Sequence, residues 1–394
     1  MTRRIHLDHN ATTPLRPEAR ELFVELLDRG LGNPSSLHDS GRQARQWVDE
    51  ARERVAGALG VHEDEVIFTS GGTEADNLAL FGCVEHDTQG RGLATSTIEH
   101  SAVLEPAAVL EGRGRSWIRL SCDDRGLVDP DSLAAAVAGE DLCLVSVIAA
   151  SNELGTVQDV PALARATHEA SGGRTRFHTD AVQALGRIPV DLASWEVDMA
   201  TLSPHKLGGP VGVGVLITAR GTLLAPRVHG GGQERGLRPG TENVPAIAAG
   251  ALAIESAVAE REVYASHVGS LAGGLWTALE KELPGARLLG PPMGDPRRLP
   301  NTLCVLLPDV DGRVLVTRLD LAGLEVSAGS ACASGSIEPS HVLVALGLGD
   351  EDARAGLRLS LGRTSTEEDC RQAVDILVKT CRGTHATRRS DDRL

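Results

Sequence analysis

Aromatic side chains are scarce in this 394-residue chain, with four Phe, four Trp and one Tyr. A core built on rings is excluded, so Leu, Val and Ala have to fill the interior. A basic excess is also missing: 39 Lys and Arg stand against 54 Asp and Glu, a net charge of −15. That balance argues against direct, sequence-independent nucleic-acid binding, which relies on a basic surface, and it fits a self-repelling soluble surface. No apolar run is long enough to span a bilayer. The stretch Met1 to Asp8 has no apolar h-region, so the expected location is cytoplasmic, without a membrane partner. The seven cysteines, Cys83, Cys122, Cys143, Cys304, Cys332, Cys370 and Cys381, are scattered and contain no C-x-x-C. Zinc-ribbon and thioredoxin-like readings therefore have no support, and reduced thiols are expected. Internal repeats and low-complexity tracts are absent as well.

What is present is an alternation of short apolar runs and helical stretches, the pattern of an α/β protein. Its length and 41% apolar content suffice for a large domain and a smaller one. Ser40 to Leu59 reads as an amphipathic helix, with Ala44, Trp47, Val48, Ala51, Val55 and Leu59 on one face and Asp39 or Ser40 as its cap. Strands are expected at Glu65 to Thr69, Leu142 to Ala149, Arg176 to Thr179, Met199 to Leu202, Val213 to Ile217 and Leu303 to Leu307. Glu242 to Glu282 is Ala-rich and helical in period, with a break expected at Gly273-Gly274. Gly383 to Leu394 is charged and poor in apolar residues, so disorder is expected there.

Seven stretches carry candidate chemistry. Ser203-Pro204-His205-Lys206 before Gly208-Gly209 suits a Schiff-base lysine beside phosphate-binding donors. Ser70-Gly71-Gly72-Thr73 follows a strand and opens a helix, an arrangement that offers backbone N–H groups and a hydroxyl to an anion; an ordinary capped turn is the plain alternative. Asp180 and Gln183 follow a strand, where an acid suits a protonated pyridine nitrogen or, equally, a helix N-cap. His100 stands at a strand–helix junction, placed to stack on a flat cofactor or to serve the fold, and Asn152 follows another apolar run at the same sheet edge. Cys332 sits among Ser, Gly and Ala residues from Val326 to Ser336, which suits a mobile nucleophile or a linker with an incidental thiol. Alternation puts Arg358 and Ser360 on one face of a short strand, where the guanidinium suits a carboxylate or a surface ion pair.

Taken together, these stretches resemble the cysteine desulfurases, class V aminotransferases among the pyridoxal-phosphate enzymes of fold type I. The resemblance runs from Leu7-Asp8-His9-Asn10 to about Leu377 and includes Gly32 to His38, Thr69 to Asn77, His178 to Gly186, Ser203 to Gly214, Arg238 to Asn243, Ser330 to Pro339 and Arg358 to Arg363. It implies an α/β fold of type I, with a large cofactor-binding domain over 16–258, a small domain of 1–15 plus 259–382, and a disordered tail at 383–394. It implies that Lys206 holds pyridoxal 5'-phosphate covalently, and that Gly72, Thr73, Ser203 and His205 bind its phosphate, completed by Thr241 of a second subunit. By the same resemblance Asp180 pairs with the ring nitrogen, Gln183 and Asn152 contact the phenolic oxygen, and His100 stacks on the ring. Asn10, Asn152 and Arg358 receive the substrate carboxylate, and Cys332 is the nucleophile that takes sulfur from L-cysteine as a persulfide and releases L-alanine. A homodimer and a sulfur-acceptor protein are the implied partners. The Ser-Ala-Cys-x-Ser loop resembles the first of two desulfurase groups. The charged end, Thr384 to Leu394, lacks the apolar extension of the iron–sulfur housekeeping members, so the acceptor pathway stays open. So do a selenocysteine lyase or another class V enzyme and, as a non-enzyme, an inert sulfur-carrier or assembly subunit.

Overall fold

In the computed structural model, residues 4–307, 310–329 and 339–391 are described, with side chains to residue 382. Seven strands form one mixed sheet. Met199–Leu202, Arg176–Asp180, Leu142–Ser146, Gly92–Ser96 and Trp117–Leu120 run parallel in that order. Gly214–Thr218 is antiparallel to Met199–Leu202 on one side and to the edge strand Val66–Thr69 on the other. Most of these strands are buried along their whole length, which is why they read as continuous apolar runs and not as alternating ones. All five expected strands of this sheet are present, within three residues of the expected ends.

A second core gathers Ile5 and Leu7 with Val268, Leu271, Leu275 and Leu279 of the helix Arg261–Glu282, around a three-stranded antiparallel sheet. That sheet consists of Arg287–Leu289, Thr302–Leu306 and Gly356–Ser360. The first segment of the chain joins the two parts. Leu7 and His9 bond to Ser360 of the small sheet, and Arg16 N–H donates to Gly208 O at 2.8 Å, beside the large one.

Three expectations change. The helix Asp39–Leu59 is capped by His38, whose ring accepts from Gly41 N–H, rather than by Asp39 or Ser40; Asp39 turns instead to Arg42 and Gln43. The long helical segment breaks at Glu260, between Val244–Ala259 and Arg261–Glu282, and Gly273-Gly274 lie inside the second helix. Each glycine costs a helix only about 1 kcal/mol, whereas Glu260 at the break is tied to buried Arg16 at 2.8 Å. The last helix, Glu367–Asp391, continues through most of the tail expected to lack order, because an established helix propagates cheaply through polar residues. Thr241 is exposed and stands apart from the residues lining the cavity described next.

Candidate active site

The parallel strands end on a cavity of about 340 Å³, at the carboxyl edge where such sheets bind ligands. Its walls hold Asn10, Gly72, Thr73, His100, Asn152, Asp180, Gln183, Ser203, His205, Lys206 and Arg358. Eleven residues singled out from the sequence, drawn from seven separate stretches of chain, thus meet in one place. Thr241 is not among them, and Cys332 lies outside the described residues.

One wall is the start of the helix Gly72–His86, which follows directly from the edge strand. A Cβ added at Gly72 would stand 3.3 Å from Val182 Cγ2 and 3.5 Å from Ser203 Cβ, so glycine keeps this end of the helix open. Ser203 Oγ is buried and has no hydrogen-bond partner among the described residues. An orphan hydroxyl at a helix N-terminus is a pair of features that fits an anionic group such as a phosphate. His205, on the next turn, is kept neutral: burial lowers it to about 4, helped by Lys206 and Arg187.

Lys206 Nζ lies against the crossing segment and donates to Asn10 O at 2.8 Å and Ala11 O at 2.5 Å. Asp180 ends its strand buried, with one oxygen accepting Val182 N–H at 2.9 Å. No described helix starts at Asp180, so it closes a local turn rather than capping a helix, and it lines the cavity. Burial pushes its carboxyl up, against the pull of His100, the Val182 N–H and Lys206. A cation placed beside such a group relieves its desolvation. His100 caps the helix Ser101–Gly112 by accepting Ala102 N–H on Nδ1 at 3.1 Å. In the neutral ring the hydrogen is therefore on Nε2.

On the side of the small sheet, Arg358 is buried with 1% exposure, not the surface ion pair that was the plainer alternative. Asp8 takes its Nη2 at 2.6 Å, joined by Ser327 Oγ at 3.0 Å. Nη1 makes one long bond, 3.3 Å, to Asn152 O, and Nε has no partner among the described residues. Asn10 is spent on structure: its amide donates to Asn152 O and Thr302 Oγ1 and accepts from Asn301. The chain leaves the described residues at Gly329 and returns at Pro339-Ser340. These two roots lie together beside Glu153, the neighbour of Asn152, with Ser340 Oγ donating to Glu153 Oε2 at 2.6 Å.

The sequence reading missed the buried acids beneath the site. Asp76 lines the cavity, is pushed well up by burial and by Asp180, and has an oxygen without a hydrogen bond among the described residues, 3.6 Å from His178 Nε2. His178, between Ser146 and Thr201, is lowered to about 3 by burial. Glu99 is raised to about 8 by burial, although Ser96 Oγ and Ile148 N–H both donate to it. Asp76 gave no sequence signal, because Thr73, Glu74 and Asn77 around it on the same turn are polar too. Asp8 gave none either, since its partner is 350 residues away.

Comparison with known proteins decides the family. The aminotransferase class-V model matches residues 5–372. The chain belongs to this family. Aminotransferase class-V proteins and cysteine desulfurases use pyridoxal phosphate. A cysteine desulfurase IscS from Dictyoglomus turgidum is 42% identical over 380 residues, 96% of this chain and 95% of its own. Among class-V relatives of known structure, a NifS-like protein has a TM-score of 0.89 at 37% identity, over 95% of this chain and 98% of that one. SspA in complex with cysteine has a TM-score of 0.77 at 31% identity, over 92% and 99%. The seven-stranded mixed sheet thus belongs to the fold of the NifS-like enzymes, as the resemblance implied. No described helix is long and apolar enough to cross a membrane.

Proposed function

We propose that this chain is a pyridoxal-phosphate-dependent cysteine desulfurase that converts L-cysteine to L-alanine and leaves the sulfur as a persulfide on Cys332. The observation that carries the reading is the single cavity holding a lysine amine, a buried acid and an orphan hydroxyl at a helix start. These residues fit the cofactor's three demands: an amine for its aldehyde, an anion for its ring nitrogen and donors for its phosphate.

Lys206 would hold the aldehyde carbon. Asp180 would face the ring nitrogen, and Gln183 and Asn152 the phenolic oxygen. Gly72, Thr73, Ser203 and His205 would hold the phosphate, with Thr241 supplied by a second copy in a homodimer. The exposure of Thr241, away from its own cavity, supports that last assignment. When bound, the cofactor supplies an electron sink for cleavage of the substrate's Cα–H bond.

The chain's own groups do the rest. Arg358 Nε–H and Nη1–H receive the substrate carboxylate, while Asp8 keeps the guanidinium fixed. Lys206 Nζ would remove the Cα proton. His100 would stack on the cofactor ring and move protons at Nε2. The Cys332 thiolate then attacks the substrate sulfur. An S–S bond forms and the Cβ–S bond breaks, its electron pair stays with the carbon skeleton, and protons returned to that skeleton complete L-alanine. One thiol and one L-cysteine give one persulfide and one L-alanine, so no external oxidant is required. A protein acceptor would collect the sulfur.

The test is Cys332→Ala. It should retain the cofactor and exchange the Cα proton of L-cysteine with solvent deuterium, yet form no protein-bound sulfane sulfur and no alanine above background. Persulfide and alanine at the wild-type rate would refute the assignment.

A further inference from the structure

A second, smaller cavity of about 40 Å³ also touches Lys206, and it is lined by His9, Arg16, Arg187, Tyr264 and Arg363 among others. Arg187 is the unusual member. It is buried, with 3% exposure, and it makes no ion pair among the described residues. Arg16, in the same wall, is balanced by Glu18 and Glu260. A buried cation left without a counter-charge is costly and calls for a reason.

Its bonds supply one. Nη1 donates to Gln183 O at 2.8 Å and to Gln183 Oε1 at 2.5 Å, and Nη2 reaches Lys206 O at 3.5 Å. A guanidinium has donors only, whereas the two ends of a glutamine amide are nearly equal in shape. The end of Gln183 that meets Arg187 must therefore be the oxygen, and the amide nitrogen faces the other way. One Nε2 hydrogen goes to Asn10 O at 3.0 Å, and the second remains for the larger cavity, which Gln183 also lines.

We propose that Arg187 is a positioning residue that locks the Gln183 amide so that an N–H, and not a carbonyl oxygen, meets the phenolic oxygen of pyridoxal phosphate. The same guanidinium ties this lock to the backbone of Lys206. The inference rests on the reading of the larger cavity as a pyridoxal-phosphate site. Without the lock the amide is free to turn, and a turned amide places lone pair against lone pair.

The test is a double-mutant cycle with Arg187→Met and Gln183→Ala, read by equilibrium dialysis of pyridoxal phosphate and by the absorbance bands of the bound cofactor. Each single variant should weaken cofactor binding about tenfold and alter the balance of the bands. The double variant should be no weaker than Gln183→Ala alone. Arg187→Lys, which keeps the charge and one donor, should recover part of the affinity. If Arg187→Met costs the same factor with and without Gln183, the residue acts on the fold alone and the inference is overturned. Should Arg187→Met fail to fold, Gln183→Glu decides: its carboxylate satisfies Arg187 but has no N–H. A folded Gln183→Glu apoprotein with weakened cofactor binding supports the lock, and wild-type affinity and absorbance overturn it. A wild-type chain that binds no pyridoxal phosphate refutes the reading of the site itself; a wild-type chain that binds it with additive variants refutes only the role of Arg187.

Discussion

Arg358→Gln is the perturbation whose outcome can be worked furthest from the structure. Asp8 and Ser327 occupy Nη2, which leaves Nε, without a partner among the described residues, and the weakly bonded Nη1 for an incoming carboxylate. One charge-assisted hydrogen bond is worth about 1.5–3 kcal/mol, so its loss should raise KM for L-cysteine about ten- to hundredfold. The turnover number should change much less, because the carboxylate keeps its charge throughout the reaction. Stability should also fall. Removing one partner of a buried pair costs about 3–5 kcal/mol, and the 19% exposure of the Asp8 side chain brings the expectation to about 2 kcal/mol. Asp8→Asn combined with Arg358→Gln separates the two effects. The uncharged pair should melt closer to wild type than Arg358→Gln alone, while KM stays high. Steady-state alanine production and thermal melting of the apoprotein measure both quantities. A KM within twofold of wild type, or a fall in turnover number at constant KM, would refute the assignment of Arg358 to the carboxylate.

Three further outcomes are expected. Ser203→Ala removes an orphan donor, so the apoprotein should be as stable as wild type or slightly more so, while pyridoxal phosphate binds about tenfold more weakly; equal affinity in dialysis would contradict the phosphate cradle. Glu99 titrates at about 8 in the folded chain, against an ordinary value of 4.5, so the native state keeps a proton that the unfolded state loses. Stability from this group is therefore present below pH 4.5 and declines up to about pH 8, by ~3 kcal/mol at pH 7; Glu99→Gln should flatten that decline in urea unfolding, and parallel curves for the two proteins would remove Glu99 as its cause. Light scattering should give a dimer, and mixing inactive Lys206→Ala with a Thr241→Ala variant of low activity should restore one complete site per heterodimer; no gain on mixing would mean that Thr241 does not cross between subunits.

Most of the site was legible because it is built at chain punctuation. Gly71-Gly72, Asp180, Ser203 and His100 each stand where a strand ends, and strand ends in a parallel sheet converge in space. Lys206 was legible from its immediate neighbours. Arg358 was legible as a strand position but not as a buried one, because its counter-charge, Asp8, comes from the other end of the chain. Asp76, Glu99 and Arg187 were not legible: one is an acid between Glu74 and Asn77 on a helix, one precedes His100, and one follows a turn glycine. Only packing shows that all three are desolvated. The same limit explains the helix break, set at Glu260 by Arg16 and not at the local weakness of Gly273-Gly274.

The central claim is that Lys206 holds the aldehyde cofactor inside the cavity formed by Asp180, Ser203 and Arg358. Borohydride reduction of the protein loaded with pyridoxal phosphate, followed by peptide mass mapping, tests it directly. The account predicts one pyridoxyl adduct per chain, on Lys206, lost in Lys206→Ala. An adduct on Lys281 or Lys379 instead, or none on a protein that makes alanine from L-cysteine, would contradict it.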